Sequence, residues 1–241
     1  VPARGTIGRR RDPTFDGPGE YPVGSRALTK TAPPALTPQQ LGDIDAVLLS
    51  HDQHPDNLDT AGRALLTRIP VVLSTPSAAA RLPGTTGLAR WAHADLGRQD
   101  GGRLRVTAVP AQHGPDGTEH LTGEVTGFVL SGEGLPTVYV SGDNASLRVV
   151  REIAERFPAV DVAVLHAGAA RTALVGDADL TLDGAAAAEA ARLLRARHVV
   201  PTHFNGWKHF TQGGEALREA FARVRLSDRL VLLEPGARAV F

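Results

Sequence analysis

From residue 44 onward, apolar positions alternate between strand-length runs and stretches with helical spacing. Residues 44–49 are apolar except for Asp45, which predicts a buried strand. Residues 58–69 place Leu58, Ala61, Leu65, Leu66 and Ile69 on one helical face, with Asp56 or Asn57 positioned to cap the exposed N–H groups. Strands are predicted at 70–74 and 104–109, with a short helix over 76–82 between them. Residues 127–130 and 137–140 flank Ser131-Gly132-Glu133-Gly134, a hairpin signal that argues against a purely parallel sheet. Beyond it, Asn144 is placed to cap a helix over 145–157, with Leu147, Val150, Ile153 and Ala154 on one face. A strand at 160–165, an Ala-rich helix at 184–197, a strand at 198–200, a helix at 214–224 and a strand at 230–233 complete the pattern. Residues 1–43 are rich in Gly, Pro, Arg and Thr and read as loop. No repeat or linker interrupts the series, so 1–241 is expected to be a single α/β domain whose mixed sheets are covered by helices.

Composition narrows the function. Lys and Arg together number 26 and so do Asp and Glu; the absence of net charge disfavours nucleic acid or an anionic membrane surface as partner. With no cysteine in the chain, a transition metal has to be held by imidazole and carboxylate. The longest apolar runs, such as 46–49 and 162–165, are strand-sized and far below a membrane span. No apolar stretch follows Val1-Pro2-Ala3-Arg4, so no signal peptide is expected and the protein is read as cytoplasmic. The sequence contains no methionine and is therefore expected not to show the natural N-terminus.

Five segments end alike, with an apolar strand followed by a residue able to bind metal: His51, His113, Asp143, His166 and His203. Side chains beyond strand ends gather in one crevice of an open α/β sheet, so residues far apart in sequence can converge. His51 and His54 are three apart, but Pro55 disfavours helical geometry at His54 and predicts that the two meet through a turn. Imidazole and carboxylate bind zinc at about 2.0–2.2 Å. Zinc lowers the pKa of its water to about 7, which makes hydroxide available without a serine or cysteine nucleophile. Read one by one these residues have plainer explanations: Asp52, Asp56 and Asn57 as helix caps, His113 and His203 as hydrogen-bonded loop histidines, Asp143 as a turn residue. For His51 and His54, aligned with three distant strand-end residues, metal is favoured over capping; for His113, His203 and Asp143 taken alone the plainer reading is the commoner one, and it is the order of the motifs that favours metal.

The segment Ser50-His51-Asp52-Gln53-His54-Pro55-Asp56-Asn57-Leu58-Asp59 resembles the His-x-His-x-Asp-His signature of the metallo-β-lactamase superfamily. His113, Ser141-Gly142-Asp143 and Pro201-Thr202-His203 follow in the family's order, and the resemblance runs from about Asp12 to the C-terminus. Asp12-Pro13-Thr14-Phe15, Asn57-Leu58-Asp59 and Gly206-Trp207-Lys208-His209-Phe210 are similar to the ascorbate-6-phosphate lactonase-like and N-acylphosphatidylethanolamine phospholipase-like hydrolases. The resemblance implies an αββα four-layer sandwich. It also implies a first metal on His51, His54 and His113, a bridging Asp143, and a second metal on Asp56 and His203. Two departures stand out. One extra residue separates the first two histidines, and Asn57 occupies the place of the usual third. An amide oxygen is a weak zinc ligand, so the second position is expected to be weak, taken by a harder metal, or empty. The family's usual N-terminal hairpin precedes Asp-Pro, where only residues 1–11 stand here, so part of the first sheet is expected to be missing or built differently.

The resulting expectation is a hydrolase in which a metal-bound hydroxide attacks a small ester, lactone or phosphoester, with Asp56 or Asp143 orienting the water. Zinc, as one or two ions, is the expected cofactor, with manganese or iron as alternatives. Asn57 and His166 are candidates for further ligands or hydrogen-bonded support. Trp207 and His209 are candidates for the substrate pocket, Trp207 equally for a packing anchor. His93, His120 and His198 are expected to be structural or at the surface. A metal-binding homologue without turnover, a nuclease and a β-lactamase are the alternatives, and homo-oligomerisation is left open.

Overall fold

A computed structural model describes residues 9–11 and 13–241. The chain begins with strands β1 (Arg9–Arg11), β2 (Gly19–Val23), β3 (Arg26–Lys30) and β4 (Ala46–Leu48). Helix α1 (Thr60–Leu66), β5 (Val71–Ser74), α2 (Pro76–Arg81), β6 (Thr85–Gly87), β7 (His93–Gly97) and β8 (Arg103–Pro110) follow. Then come α3 (Glu119–Thr122), β9 (Thr126–Ser131), β10 (Val138–Val140), α4 (Leu147–Arg156) and β11 (Val162–His166). The last elements are α5 (Gly184–Leu193), β12 (His198–Thr202) and α6 (Gly214–Arg223).

Two sheets dominate: a four-stranded one in the order β1-β4-β5-β6 and a six-stranded one in the order β12-β11-β10-β9-β8-β7. The first is parallel throughout. The second is parallel from β10 to β12 and antiparallel from β10 to β7. Side-chain alternation along each strand sorts the apolar residues into three layers. Leu48 and Leu73 from one sheet meet Leu104, Val106, Ala108, Phe128 and Leu130 from the other. On the outer face of the larger sheet, Val109, Val129, Tyr139, Ala163 and Val199 pack under α4, α5 and α6 through Val150, Ala187, Ala191, Leu217 and Phe221. On the outer face of the smaller sheet, Val47 and Leu49 pack with Leu58, Leu66 and Ile69 around α1. Helices thus flank a pair of facing sheets. Among the described residues, no helix is long and apolar enough to cross a membrane.

Several expected elements are corrected. Residues 19–30, read as loop, form the β2–β3 hairpin; Pro22 and the exposed residues around it conceal the alternation. β6 and β7 were not expected, the one being three residues long and the other largely polar. Residues 230–233 form no strand; only a bridge from Val199 to Leu230 and a bond from Val231 N–H to the Val199 carbonyl remain. Asp59, not Asp56 or Asn57, caps α1 through the Gly62 N–H, and Ser146, not Asn144, caps α4. Helix α5 ends at Leu193, short of residue 197, and Arg195 behind it takes a left-handed φ of 51°. The expectations on Asp12 and on the first eight residues lie outside the described residues.

Gly62 faces Pro13 so closely that a Cβ there would lie 2.0 Å from the Pro13 carbonyl oxygen. Alanine in a helix ordinarily gains about 1 kcal/mol over glycine; here the clash outweighs that gain. Gly62→Ala is expected to lose about 1–3 kcal/mol in chemical denaturation, whereas Gly97→Ala, with nothing within 4 Å of its Cβ, leaves the midpoint unchanged.

Candidate metal centre

The antiparallel steps from β8 to β9 and from β9 to β10 make β8, β10, β11 and β12 run in the same direction. Their C-terminal ends therefore share one edge of the larger sheet; His113, Asp143 and His203 follow those ends, and His166 is the last residue of β11. The Thr126 N–H, at the start of β9, donates to the Ser50 carbonyl, which stitches the loop after β4 to the same edge. His51 and His54 enter there through a turn closed by the Asn57 and Leu58 N–H groups on the His54 carbonyl. Asn144, fully buried, ties two of these loops together: its Oδ1 accepts from the Gln112 N–H at 3.1 Å and from Ser146 N–H at 3.3 Å.

His51, His54, His113 and Asp143 each offer a ligand atom within 4.8 Å of the others. His51 Nε2 lies 2.9 Å from His54 Nδ1 and 3.7 Å from Asp143 Oδ2, and His113 Nε2 lies 3.7 Å from the same oxygen. Ligands on a tetrahedral ion with bonds of about 2.0–2.1 Å stand about 3.3 Å apart, so this spacing fits a metal shell. The tautomers fit as well. His113 Nδ1 donates to the Leu180 carbonyl at 2.8 Å and His51 Nδ1 lies 2.9 Å from Ser50 Oγ, which leaves each Nε2 lone pair toward the cluster.

The other Asp143 oxygen, Oδ1, faces His166 Nδ1 at 2.5 Å and His203 Nε2 at 3.6 Å. Asp56 Oδ2 lies 3.2 Å from His203 Nε2 and accepts from His209 Nε2 at 3.1 Å. His203 adopts a left-handed φ of 58°, an uncommon conformation for a residue with a side chain. Gly168 packs against it so tightly that a Cβ would stand 2.2 Å from the His203 carbonyl oxygen. The Asn57 amide is fully buried. With its nitrogen facing the carboxylates it donates to Asp143 Oδ2 and Asp56 Oδ1, both at 3.3 Å.

Burial pushes the His51 imidazole well below its ordinary value, and neighbouring His54 adds to this. His54 is lowered by burial and then by His113. Burial opposes ionisation of Asp56, but bonds from His203 and His209 prevail and hold it well below the usual carboxylate range. Asp143 is likewise held low, the charges of His203 and His113 and the His166 bond outweighing burial. Neutral imidazoles and ionised carboxylates are the protonation states a metal requires.

Every candidate residue named from the sequence falls in this centre except Trp207. That ring packs 5.5 Å from Tyr21, under the Lys30 ammonium, and is a packing anchor. It pins β3, whose Lys30 is buried in an ion pair with Asp59 and whose Thr29 carbonyl accepts from Lys208 N–H. His209 lines a cavity of about 210 Å³ together with His54, Asp56 and His113; among the described residues its Nδ1 has no hydrogen-bond partner. The walls are Val23, Ala27 and Leu28 of the hairpin and the 170–174 loop with Leu180. His93 and His120 are exposed and His198 is half-buried. Asn144 and the cavity walls were missed. Asn144 was read as a cap, and no pattern in the sequence marks the walls.

Two facing sheets with a histidine and carboxylate cluster at one edge define the metallo-β-lactamase superfamily. The chain belongs to it, matching the beta-lactamase superfamily domain over residues 12–204. It is 30% identical over 208 residues to a UPF0173 metal-dependent hydrolase of Methanosphaerula palustris, covering 82% of this chain and 84% of that one. A UPF0173 metal-dependent hydrolase of Pyrococcus abyssi is 26% identical, with 87% of each chain covered. The fold is similar to that of an isothiocyanate hydrolase from Delia radicum gut bacteria, with a TM-score of 0.79, 20% identity and 97% and 92% of the two chains covered.

Two measurements test the centre. On protein purified without chelator, plasma mass spectrometry is expected to find metal in wild type and His93→Ala but not in His113→Ala; equal content in the two variants would sink the assignment. In metal-free protein, folding lowers the His51 and His54 pKa, so the unfolded state binds more protons around pH 6. Stability is therefore expected to fall as pH drops from 7 through about 6.5 toward the folded values, read as a declining melting temperature.

Proposed function

We propose that this chain is a metal-dependent hydrolase acting on a small ester, lactone or phosphoester, with residues 1–241 working as one domain. The observation that carries the proposal is the cluster of His51, His54, His113 and Asp143, donors spaced for an ion and opening onto a cavity. Zinc fits this donor set of neutral imidazoles and one carboxylate. When bound, such an ion supplies Lewis-acid polarisation of the substrate and an activated water.

The residues of the chain do the rest. His51, His54, His113 and Asp143 hold the ion. Asp56, at the cavity floor and kept ionised by His203 and His209, orients the attacking water and accepts its hydrogen bond. His209 lines the same floor, and its Nδ1 is the polar atom left to meet the substrate. The cavity is smaller than the roughly 300–1,000 Å³ of drug-sized pockets, and its mostly apolar walls favour a compact substrate. The short segments that resemble the lactonase-like group place a lactone among the substrates worth assaying, and the named activity of the structural neighbour adds isothiocyanates. Asn57 in place of a histidine supports a second reading, metal binding without turnover.

Metal-loaded protein assayed with 4-nitrophenyl acetate, bis(4-nitrophenyl) phosphate, γ-butyrolactone and allyl isothiocyanate separates the two. We expect turnover of at least one probe, with kcat/KM falling by about 100-fold or more in His113→Ala, in line with the loss of several kcal/mol of transition-state stabilisation. Activity that survives unchanged in His113→Ala or after chelation would refute metal-dependent hydrolysis at this site.

A further inference from the structure

We infer that the chain holds one metal ion, at His51, His54, His113 and Asp143, and that the neighbouring second position is closed by a hydrogen-bonded network centred on Asn57. This rests on the metal-dependent reading above and adds the number of ions to it.

The second position would have to draw on Asp56, residue 57, Asp143 and His203. Asn57 is fully buried, so both ends of its amide need partners. Its nitrogen has two, Asp56 Oδ1 and Asp143 Oδ2 at 3.3 Å. The other amide atom, its oxygen in this orientation, lies 3.5 Å from Ser50 Oγ, which in turn stands 2.9 Å from His51 Nδ1. A continuous chain results. His51 Nδ1–H donates to Ser50 Oγ, Ser50 O–H to the Asn57 oxygen, and the Asn57 N–H groups to the two carboxylates. Every donor in the chain meets an acceptor, and the His51 Nε2 lone pair is left for the first ion. The amide that replaces a ligand thus turns its donor end, not its acceptor end, toward the place where a second ion would lie.

The remaining donors fare no better. Asp143, His166 and His203 also lie within 4.8 Å of one another, but the His166 and His203 rings are stacked, with centroids 4.4 Å apart and planes within 2° of parallel. Imidazole binds metal through a lone pair in the ring plane, and an ion in the plane of one stacked ring lies well out of the plane of the other. His166 Nδ1 is in any case engaged with Asp143 Oδ1. Asp56 Oδ2 already accepts a hydrogen bond from His209 Nε2. The pair of carboxylates that would attract a second cation is therefore engaged by the Asn57 amide and by hydrogen bonds from His166 and His209.

Metal-free protein reloaded with excess zinc, dialysed and measured by plasma mass spectrometry and native mass spectrometry gives the count. We expect one zinc per wild-type chain, one in His203→Ala, none in His113→Ala, and a second zinc gained in Asn57→His. Two zinc ions in wild type, falling to one in His203→Ala, would overturn the single-ion inference and leave the hydrolase reading intact. A single ion in folded Asn57→His would overturn the role given to Asn57. No zinc in wild type would overturn the metal reading itself. The wild-type count decides the main point even if a variant fails to fold.

Discussion

The site is organised around one buried negative charge. Asp143 is almost completely enclosed, and an ionised carboxylate taken out of water costs several kcal/mol unless its oxygens are matched. The protein matches it with His51 and His113 on one side, His166 and His203 on the other, and the Asn57 amide between. Those partners come from four separate chain segments, the β4–α1 loop and the ends of β8, β11 and β12, so compensating this charge requires the edges of both sheets to be brought together. The same demand explains why four strands of the larger sheet run in one direction. Only then do their loops reach Asp143 without long connections crossing the core.

That demand also separates what was legible in the sequence from what was not. An apolar run followed by His or Asp is a local signal, and it repeats at His51, His113, Asp143, His166 and His203, so these five were legible as candidates from strand ends, while the roles of His54, Asp56 and Asn57 and the choice of metal over capping rested on the order of the family's motifs. The facing sheets were not legible from alternation, since β9 is buried along nearly its whole length; the four-layer arrangement came from the family resemblance. The β2–β3 hairpin was not legible either, because it buries little of its own surface and is held by Trp207 and the Lys30–Asp59 pair, contacts between distant residues. Asn144 carries the composition of a helix cap, and its actual task, joining the loops of His113 and Asp143, depends on which loop the fold places beside it. The strand expected at 230–233 is apolar enough, but only a single bridge to β12 forms there. The ascorbate-6-phosphate lactonase-like subgroup rested on short segments that include Asp12 and Trp207. The former lies outside the described residues and the latter serves packing.

Hydrogen bonds to the far sides of ligands carry much of the precision. His113 is oriented by a carbonyl from the loop before α5, and His51 by the serine that precedes it. His203 takes a left-handed backbone conformation, and its carbonyl packs where only a glycine at 168 leaves room. Such contacts fix the rings of His51 and His113 from outside the candidate donor cluster, so the orientation of the donors depends on residues that are not themselves donors.

The cavity has a floor and walls of different origin. The floor is His54, Asp56, His113 and His209, fixed by the sheet edge and by one another's charges. The walls come from the hairpin and the 170–174 loop, attached to the body through Trp207, Lys30 and a few backbone bonds. Val23, Ala27, Leu28 and Leu174 line the opening and none of them is among the candidate donors, so the shape of the opening can vary while the donor set stays the same. A lineage built on this plan can change its diet while keeping its reaction.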